Sequence, residues 1–230
     1  MKTIGLIGGM SWESTVSYYR AINEAVRTRL GGLHSARLVL FSVDFEEIER
    51  LQRAGRWDLA GEVLGDAGRA LAAAGADFLL ICANTMHKVA PAVEAAAGRP
   101  LLHIADATAE VILAAGHRRV GLLGTRYTME QEFYRERLRC PHGLEVLVPE
   151  EPDRAIVHRV IFDELCRGEV LDVSRAEYRR VMAALVSRGV EAIILGCTEL
   201  SLLVDAADAT VPLFDTTLIH AQRAVDRALA

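Results

Sequence analysis

The sequence predicts an α/β protein built from two similar domains, each a four-stranded parallel sheet flanked by helices. Three observations predict it. Short, uniformly apolar runs such as Ala192-Ile193-Ile194-Leu195 and Phe78-Leu79-Leu80-Ile81 are too short for helices and too continuous for half-exposed strands, so they read as buried parallel strands. Stretches of helical periodicity alternate with them along the whole chain. The pattern also repeats: Arg119-Val120-Gly121-Leu122-Leu123-Gly124-Thr125 echoes Thr3-Ile4-Gly5-Leu6-Ile7-Gly8-Gly9, displaced by 116 positions from Gly8 to Gly124. Each half is then β-α-β-α-β-α-β, which right-handed crossovers close into one parallel sheet. The expected domains are 1–104 and 105–215, with a last helix over 216–230 packing back on the first.

The elements run in order from the amino end. Lys2 to Ile7 reads as a strand, and Gly8-Gly9-Met10-Ser11 turns into a helix that runs to about Leu30 with Ser11 as N-cap. Ala36 to Val43 is a second strand. Asp44 opens a helix with acids in its first turn, and Gln52 lies on that helix. A longer Ala-rich helix covers Trp57 to Ala73 and is closed by Gly75. Asp77 to Cys82 is a buried strand, followed by a helix to about Ala97, a short strand at Leu101 to Ile104, and a helix capped by Asp106. In the second half, strands are expected at 118–124, Leu144 to Val148, 191–195 and 213–215. Helices are expected from about Thr128, Asp153 and Ser174, and at the carboxyl end.

Composition narrows the function classes. Of 230 residues, 51% are hydrophobic and 25% charged, the range of a globular protein. The net charge of −5 is spread without a basic patch, which argues against a nucleic-acid partner. No run approaches the roughly 18 apolar residues that cross a bilayer, and the start lacks a signal-peptide shape. The expectation is a cytoplasmic protein with no membrane partner. The four cysteines show no C-x-x-C pairing and the seven histidines no H-x-x-x-H, so no metal site is expected and any working cysteine is a free thiol.

Ligands of parallel sheets sit at the carboxyl ends of the strands. Those loops are Gly8–Ser14, Cys82–His87, Thr125–Thr128 and Gly196–Leu200, rich in Ser, Thr, Asn and backbone N–H donors and poor in Lys and Arg. They suit a small zwitterion or carboxylate held by hydrogen bonds. The Gly8-Gly9 turn lacks the spacing of a dinucleotide fingerprint and the Gly-Lys-Ser/Thr of a P-loop. Cys197, between Gly196 and Thr198, stands where helix-end charge favours a thiolate; the plainer alternative is a small apolar side chain filling space. His87, one turn past Asn84, reads as a packed histidine. Cys140 and Cys166 read as structural, away from the strand ends.

With Gly8-Gly9-Met10-Ser11-Trp12-Glu13-Ser14 at the start, Asn84-Thr85 in the first half and Gly196-Cys197-Thr198-Glu199 in the second, the chain resembles the aspartate/glutamate racemase family. The runs Asn84-Thr85-Met86-His87-Lys88-Val89 and Leu123-Gly124-Thr125-Arg126-Tyr127-Thr128-Met129-Glu130 resemble its broad-specificity amino-acid racemase branch. The resemblance implies two pseudo-twofold-related α/β domains with the active site between them. It also implies a homodimer and racemisation of a small-molecule amino acid without pyridoxal phosphate or another cofactor. Its mechanism takes the α-proton from one face and returns one to the other, through a thiolate base and a thiol acid. Carried onto this chain, Cys197 is the proton-transferring thiol. Met10, Ser11, Gln52, Ala83, Asn84, Thr85, Thr125, Thr128, Thr198 and Glu199 form the substrate-binding set.

The chain departs from the two-cysteine pattern at one position. The first cysteine of that pattern stands directly before Asn-Thr; here the position is Ala83 and Cys82 lies one residue early. On a strand that offset turns the side chain to the other face, so Cys82 either packs into the core or reaches the cleft as a second catalytic thiol. Three readings stay open: a racemase of broad or non-aspartate specificity, a one-cysteine lyase or one-face proton-exchange enzyme, and a homologue that only binds a small carboxylate. Acids at Asp44, Glu46 and Glu47, and a cysteine at 166 where the resemblance implies a lysine, argue against strict aspartate specificity.

Overall fold

The computed structural model describes residues 1–230, in two compact units: residues 1–104 with 217–230, and residues 105–216. The first unit begins with β1 (Ile4–Gly8), α1 (Trp12–Leu30), β2 (Leu38–Ser42), α2 (Phe45–Arg53), α3 (Trp57–Ala73) and β3 (Phe78–Ile81). A 3₁₀ turn over Thr85–Val89 then leads into α4 (Ala90–Ala97). Its strands are parallel in the order β2-β1-β3, with Gly8 opposite Ser42 and Ile7 opposite Ile81. Helix starts obey local chemistry. Ser11 accepts the Ser14 N–H at 3.5 Å to cap α1, and Asp44 accepts the Glu46 N–H at 3.1 Å to cap α2.

The expected fourth strand of this sheet is a correction. Residues 101–104 contribute only a single parallel bridge, Leu101 to Leu79. The ladder cannot extend, because Pro100 has no N–H to give and Ile104 already begins the next helix. The Leu101 N–H goes instead to the Glu94 carboxylate at 2.9 Å.

Alternation along the strands divides the core of this unit. Ile4, Leu6, Leu80 and Cys82 pack with Tyr18 and Ile22 of α1 on one face. Ile7, Leu79, Ile81 and Ala83 pack with Leu64, Ala67 and Leu71 of α3 on the other. Gly65 and Gly68 let α4 press against α3; a Cβ on them would stand 3.0 Å from Ala96 Cβ and 3.1 Å from Ala97 Cβ.

The second unit comprises α5 (Ile104–Ala114), β4 (Arg119–Gly124), α6 (Arg126–Glu130), α7 (Glu132–Arg139), β5 (Glu145–Leu147), α8 (Asp153–Asp163), α9 (Asp172–Ser187), β6 (Ala192–Gly196), α10 (Leu200–Leu203) and β7 (Leu213–Asp215). Its four parallel strands run β5-β4-β6-β7. Leu123, Ile193 and Leu195 pack with Val157, Ile161, Tyr178 and Leu185 of α8 and α9. Asp106 does not cap α5. The helix starts two residues earlier, and the Asp106 carboxylate binds Arg137 at 2.7 and 2.6 Å and His142 at 3.1 Å.

The last helix, α11 (Thr216–Leu229), starts with the Thr216 hydroxyl donating to the Leu195 carbonyl at 2.8 Å. It then lays Ala221, Ala224, Val225 and Ala228 on the Ile4, Leu6 and Tyr18 side of the first sheet. His220 on this helix is fully buried: its Nδ1 accepts from the Tyr18 hydroxyl and its Nε2–H donates to the Leu102 carbonyl, both at 2.8 Å. Burial holds its pKa down to about 3.

These contacts make two expectations testable. Gly9 has φ +91°, and a Cβ there would sit on the Val43 carbonyl oxygen. Gly98 has φ +59° and open space around it. Chemical denaturation should find Gly9→Ala destabilised by at least about 3 kcal/mol and Gly98→Ala by only about 1 kcal/mol. Neutral in the fold, His220 gains a proton on unfolding below its ordinary pKa of about 6.5. Its stabilisation is therefore complete above that value and is lost as pH falls toward 3. His220→Gln should unfold at a lower temperature than the parent near neutrality, yet lose fewer degrees between about pH 7 and pH 5.

Candidate active site

In the second unit the site is built on a pair of glycines. Gly124 and Gly196 are register partners at the carboxyl ends of β4 and β6. A Cβ on Gly124 would lie 2.8 Å from the Gly196 carbonyl oxygen and 3.2 Å from Thr128 Cβ. Only glycine allows this approach, which sets Thr128 over both strand ends. Thr125 caps α6: its Oγ1 accepts the Thr128 N–H at 3.3 Å and lies 3.2 Å from the Thr128 hydroxyl.

Cys197 comes directly after Gly196 and is 9% exposed. Its Sγ donates to Glu199 Oε2 at 2.9 Å, and the Thr198 hydroxyl donates to the same oxygen at 2.8 Å. Thr198 and Glu199 are both buried. The expected low thiol pKa is therefore corrected. Burial pushes Cys197 well above its ordinary value, and the Glu199 carboxylate and then Cys166 push it the same way. The thiolate has little helix-end charge to lean on, since α10 is a single turn beginning at Leu200.

Two neighbours went unrecognised in the sequence. Cys166, expected away from the strand ends, packs against the cluster that contains Cys197 and Leu200. Tyr178 is buried in that cluster, with its hydroxyl on the Val157 carbonyl at 2.9 Å and its pKa raised by burial and then by Cys197. Both come from helical segments remote in sequence, and no motif marks them. Glu199 was expected to bind substrate; its place two residues after Cys197 was the available signal for its bond to the thiol.

In the first unit the strand-end loops gather Met10, Ser11, Ala83, Asn84 and Thr85, all buried. The Ser11 carbonyl accepts from Thr15 at 2.8 Å and Ser14 at 3.1 Å, and the Gly9 N–H donates to Thr15 Oγ1 at 2.8 Å. Gln52 is buried rather than solvated: its amide donates to the Met86 sulfur at 3.0 Å. Cys82 is wholly buried on the Tyr18 side of the sheet, where burial raises its pKa, while Ala83 faces the α3 side. The adjacent positions thus point to opposite faces. No group of three or more His, Cys, Asp or Glu side chains is arranged to hold a metal ion, and no helix is long and apolar enough to cross a membrane.

Parallel sheets whose carboxyl-end loops carry a thiol, a carboxylate and hydroxyls define an α/β protein with a candidate acid–base site. Residues 7–224 match the family described as Asp/Glu/hydantoin racemase, and the chain belongs to that family. It is similar to the crystal structure of a candidate Asp/Glu racemase from Yersinia pestis, at 58% identity and TM-score 0.93 over 100% of both chains. It is also similar to an aspartate racemase homologue from Pyrococcus horikoshii OT3, at 36% identity and TM-score 0.86 over 100% of both chains. The broad specificity amino-acid racemase RacX of Bacillus subtilis (strain 168) is 24% identical over 68% of this chain and 66% of its own length.

The bond between Cys197 and Glu199 sets a test. Glu199→Gln removes the anion that opposes the thiolate, so the thiol pKa should fall. Mass spectrometry of Cys197 alkylation by iodoacetamide across pH should show the rise in rate displaced to lower pH. An unchanged or upward-displaced profile would refute the electrostatic assignment.

Proposed function

We propose that this protein is a cofactor-independent amino-acid racemase in which Cys197 transfers the α-proton. The observation that carries the reading is the strand-end thiol hydrogen-bonded to a buried carboxylate. At rest the thiol is protonated and poised as an acid. A bound amino acid brings its own ammonium charge near the thiol and favours the thiolate. The thiol proton then passes to Glu199, the thiolate takes the α-hydrogen, and the substrate is left as an enediolate. Hydroxyl donors of the same unit, among Thr125, Thr128 and Thr198, hold its carboxylate.

The second proton-transfer position is Ala83 in this reading, and a methyl group gives no proton. Cys82, one residue away, is packed in the core and is assigned no step. Reprotonation from the far side would come from water or another side chain, so inversion is slow relative to exchange. Ala83 also supports a second reading, one-face proton exchange or elimination through Cys197 alone. Substrates are neutral or polar amino acids, or a broad range. Support comes from the acids Asp44, Glu46 and Glu47 at the start of α2, and from the likeness to a protein named as broad in specificity. The same reading takes the protein as a homodimer, as the family resemblance implies.

The test is α-proton exchange in D₂O with a panel of L- and D-amino acids, monitored by NMR, with enantiomer composition read in parallel. Exchange is expected for some of the panel and should fall at least about 100-fold in Cys197→Ser. Ala83→Cys should raise inversion relative to exchange. Exchange that survives in Cys197→Ser removes the thiol from the mechanism, and an inactive parent sinks the racemase reading. Exchange with retention, from one enantiomer only, selects the second reading.

A further inference from the structure

Exposed apolar side chains are not scattered over this chain. Seven of the thirteen large ones lie between Trp12 and Phe41, on α1, β2 and the loop that joins them. Trp12 is 65% exposed, and Val16 and Tyr19 are about half exposed. Their spacing of i, i+4 and i+7 makes one stripe on α1. Asn23 continues that stripe, and its Oδ1 accepts the Ala36 N–H at 2.9 Å where the chain enters β2. A Cβ on Gly8 would lie 2.5 Å from Thr15 Cγ2 and 2.9 Å from Leu40 Cδ1, so those two side chains meet over the glycine. The stripe therefore runs beside β2.

For a parallel strand, β2 is poorly covered. Leu38-Val39-Leu40-Phe41-Ser42 has the composition of a strand buried on both faces, yet Leu40 is 42% and Phe41 40% exposed. The strand pairs with β1 alone and forms an edge of its sheet. Edges are ordinarily guarded by lysine, proline or another charge, and none of these five residues is of that kind. Trp12, Tyr19 and Phe41 alone present on the order of 300 Å². That is a large share of the roughly 800 Å² per partner that a stable interface buries.

Charge indicates what covers this face. Arg37 stands at the amino end of β2, and Glu46 and Glu47 stand in the first turn of α2, just beyond its carboxyl end. All three are exposed, and none is in an ion pair within the chain. A strand with a cation at one end and anions at the other complements its own copy when the two run antiparallel. If they pair about Leu40, residue 37 of one copy lies opposite residue 43 of the other, close to the start of α2. Arg37 shares a face of the strand with Val39, which packs on the side of α2 and α3. A two-fold axis normal to the sheet keeps each face on its own side, so Arg37 meets the acids of α2 on one face and the two α1 stripes meet on the other.

We infer that β2 and the Trp12, Val16 and Tyr19 stripe of α1 form the interface of a two-fold homodimer, in which the β2 strands of two copies pair antiparallel and join their sheets. The racemase reading takes a homodimer from the family resemblance. The surface follows from the chain's own residues and stands whether or not the protein turns over an amino acid.

Sedimentation velocity of the full chain across about 1 to 100 μM tests it. The parent should sediment with twice the chain mass. Val16→Glu with Tyr19→Glu adds carboxylates to both apposed stripes and should raise the dimer dissociation constant at least about 100-fold, with an unchanged circular dichroism spectrum. Arg37→Glu should raise it about tenfold, and so should Glu46→Arg with Glu47→Arg. All three charge changes together restore opposite signs, and the constant should return to within about threefold of the parent. A parent that is monomeric throughout leaves this face to a partner of another kind and overturns the inference. A dimer that Val16→Glu with Tyr19→Glu leaves intact also overturns it, because the interface then lies elsewhere. A triple charge variant no tighter than Arg37→Glu overturns the antiparallel pairing. Should the α1 variant fail to fold, the charge exchange at three exposed side chains decides alone.

Discussion

The close approach of Gly124 to the Gly196 carbonyl is the constraint on which the candidate site of the second unit depends. Parallel strands end side by side, and any side chain at these two positions would push the adjoining loops outward. With none there, Thr128 lies over both strand ends, and Cys197 follows Gly196 directly in the chain. The same geometry buries Thr198 and Glu199, the next two residues of the loop. A hydroxyl, a thiol and a carboxylate then share a buried space where water does little to screen their interactions.

That confinement decides the chemistry. A thiol beside a buried carboxylate is a weaker acid than one in water, because forming the thiolate would place two negative charges within hydrogen-bond distance. A thiol held this way stays protonated, and it becomes a base only when positive charge arrives. The strand-end loops carry few cationic side chains of their own, and Lys88 lies over the Trp57 ring at 4.1 Å. In the racemase reading the missing charge belongs to the amino acid, so ligand and base are activated together. In the first unit a buried imidazole, that of His87, lies between the Ala83 carbonyl and the Ile104 N–H.

Much of the fold was legible because parallel strands and long helices have simple periods. The limits of α1 and α3 are signalled by Ser11, Leu30, Trp57 and Ala73, each marked by a cap or a change of pattern. The opposite placement of Cys82 and Ala83 comes from the two-residue period of a strand. The strand expected at 101–104 was misread because Leu-Leu-His-Ile suits a strand by composition. A proline before it and an early helix after it leave room for only one bridge. Gln52 read as a substrate contact, and the thioether that its buried amide meets comes from another element.

The order of strands and helices, the repeat, and the motifs that assign the chain to its family can all be read from the amino-acid order alone. They are carried by neighbours along the chain and by short-range stereochemistry. Folding was needed to define the acid strength of Cys197, the placement of Cys166 beside it and the tautomer of His87. Acid strength depends on burial and on charges brought close from other segments. A tautomer depends on which partner faces each nitrogen, and one of those partners, Ile104, lies on the far side of α4 along the chain. Electrostatics and hydrogen bonding act through space, and only the folded chain defines those distances.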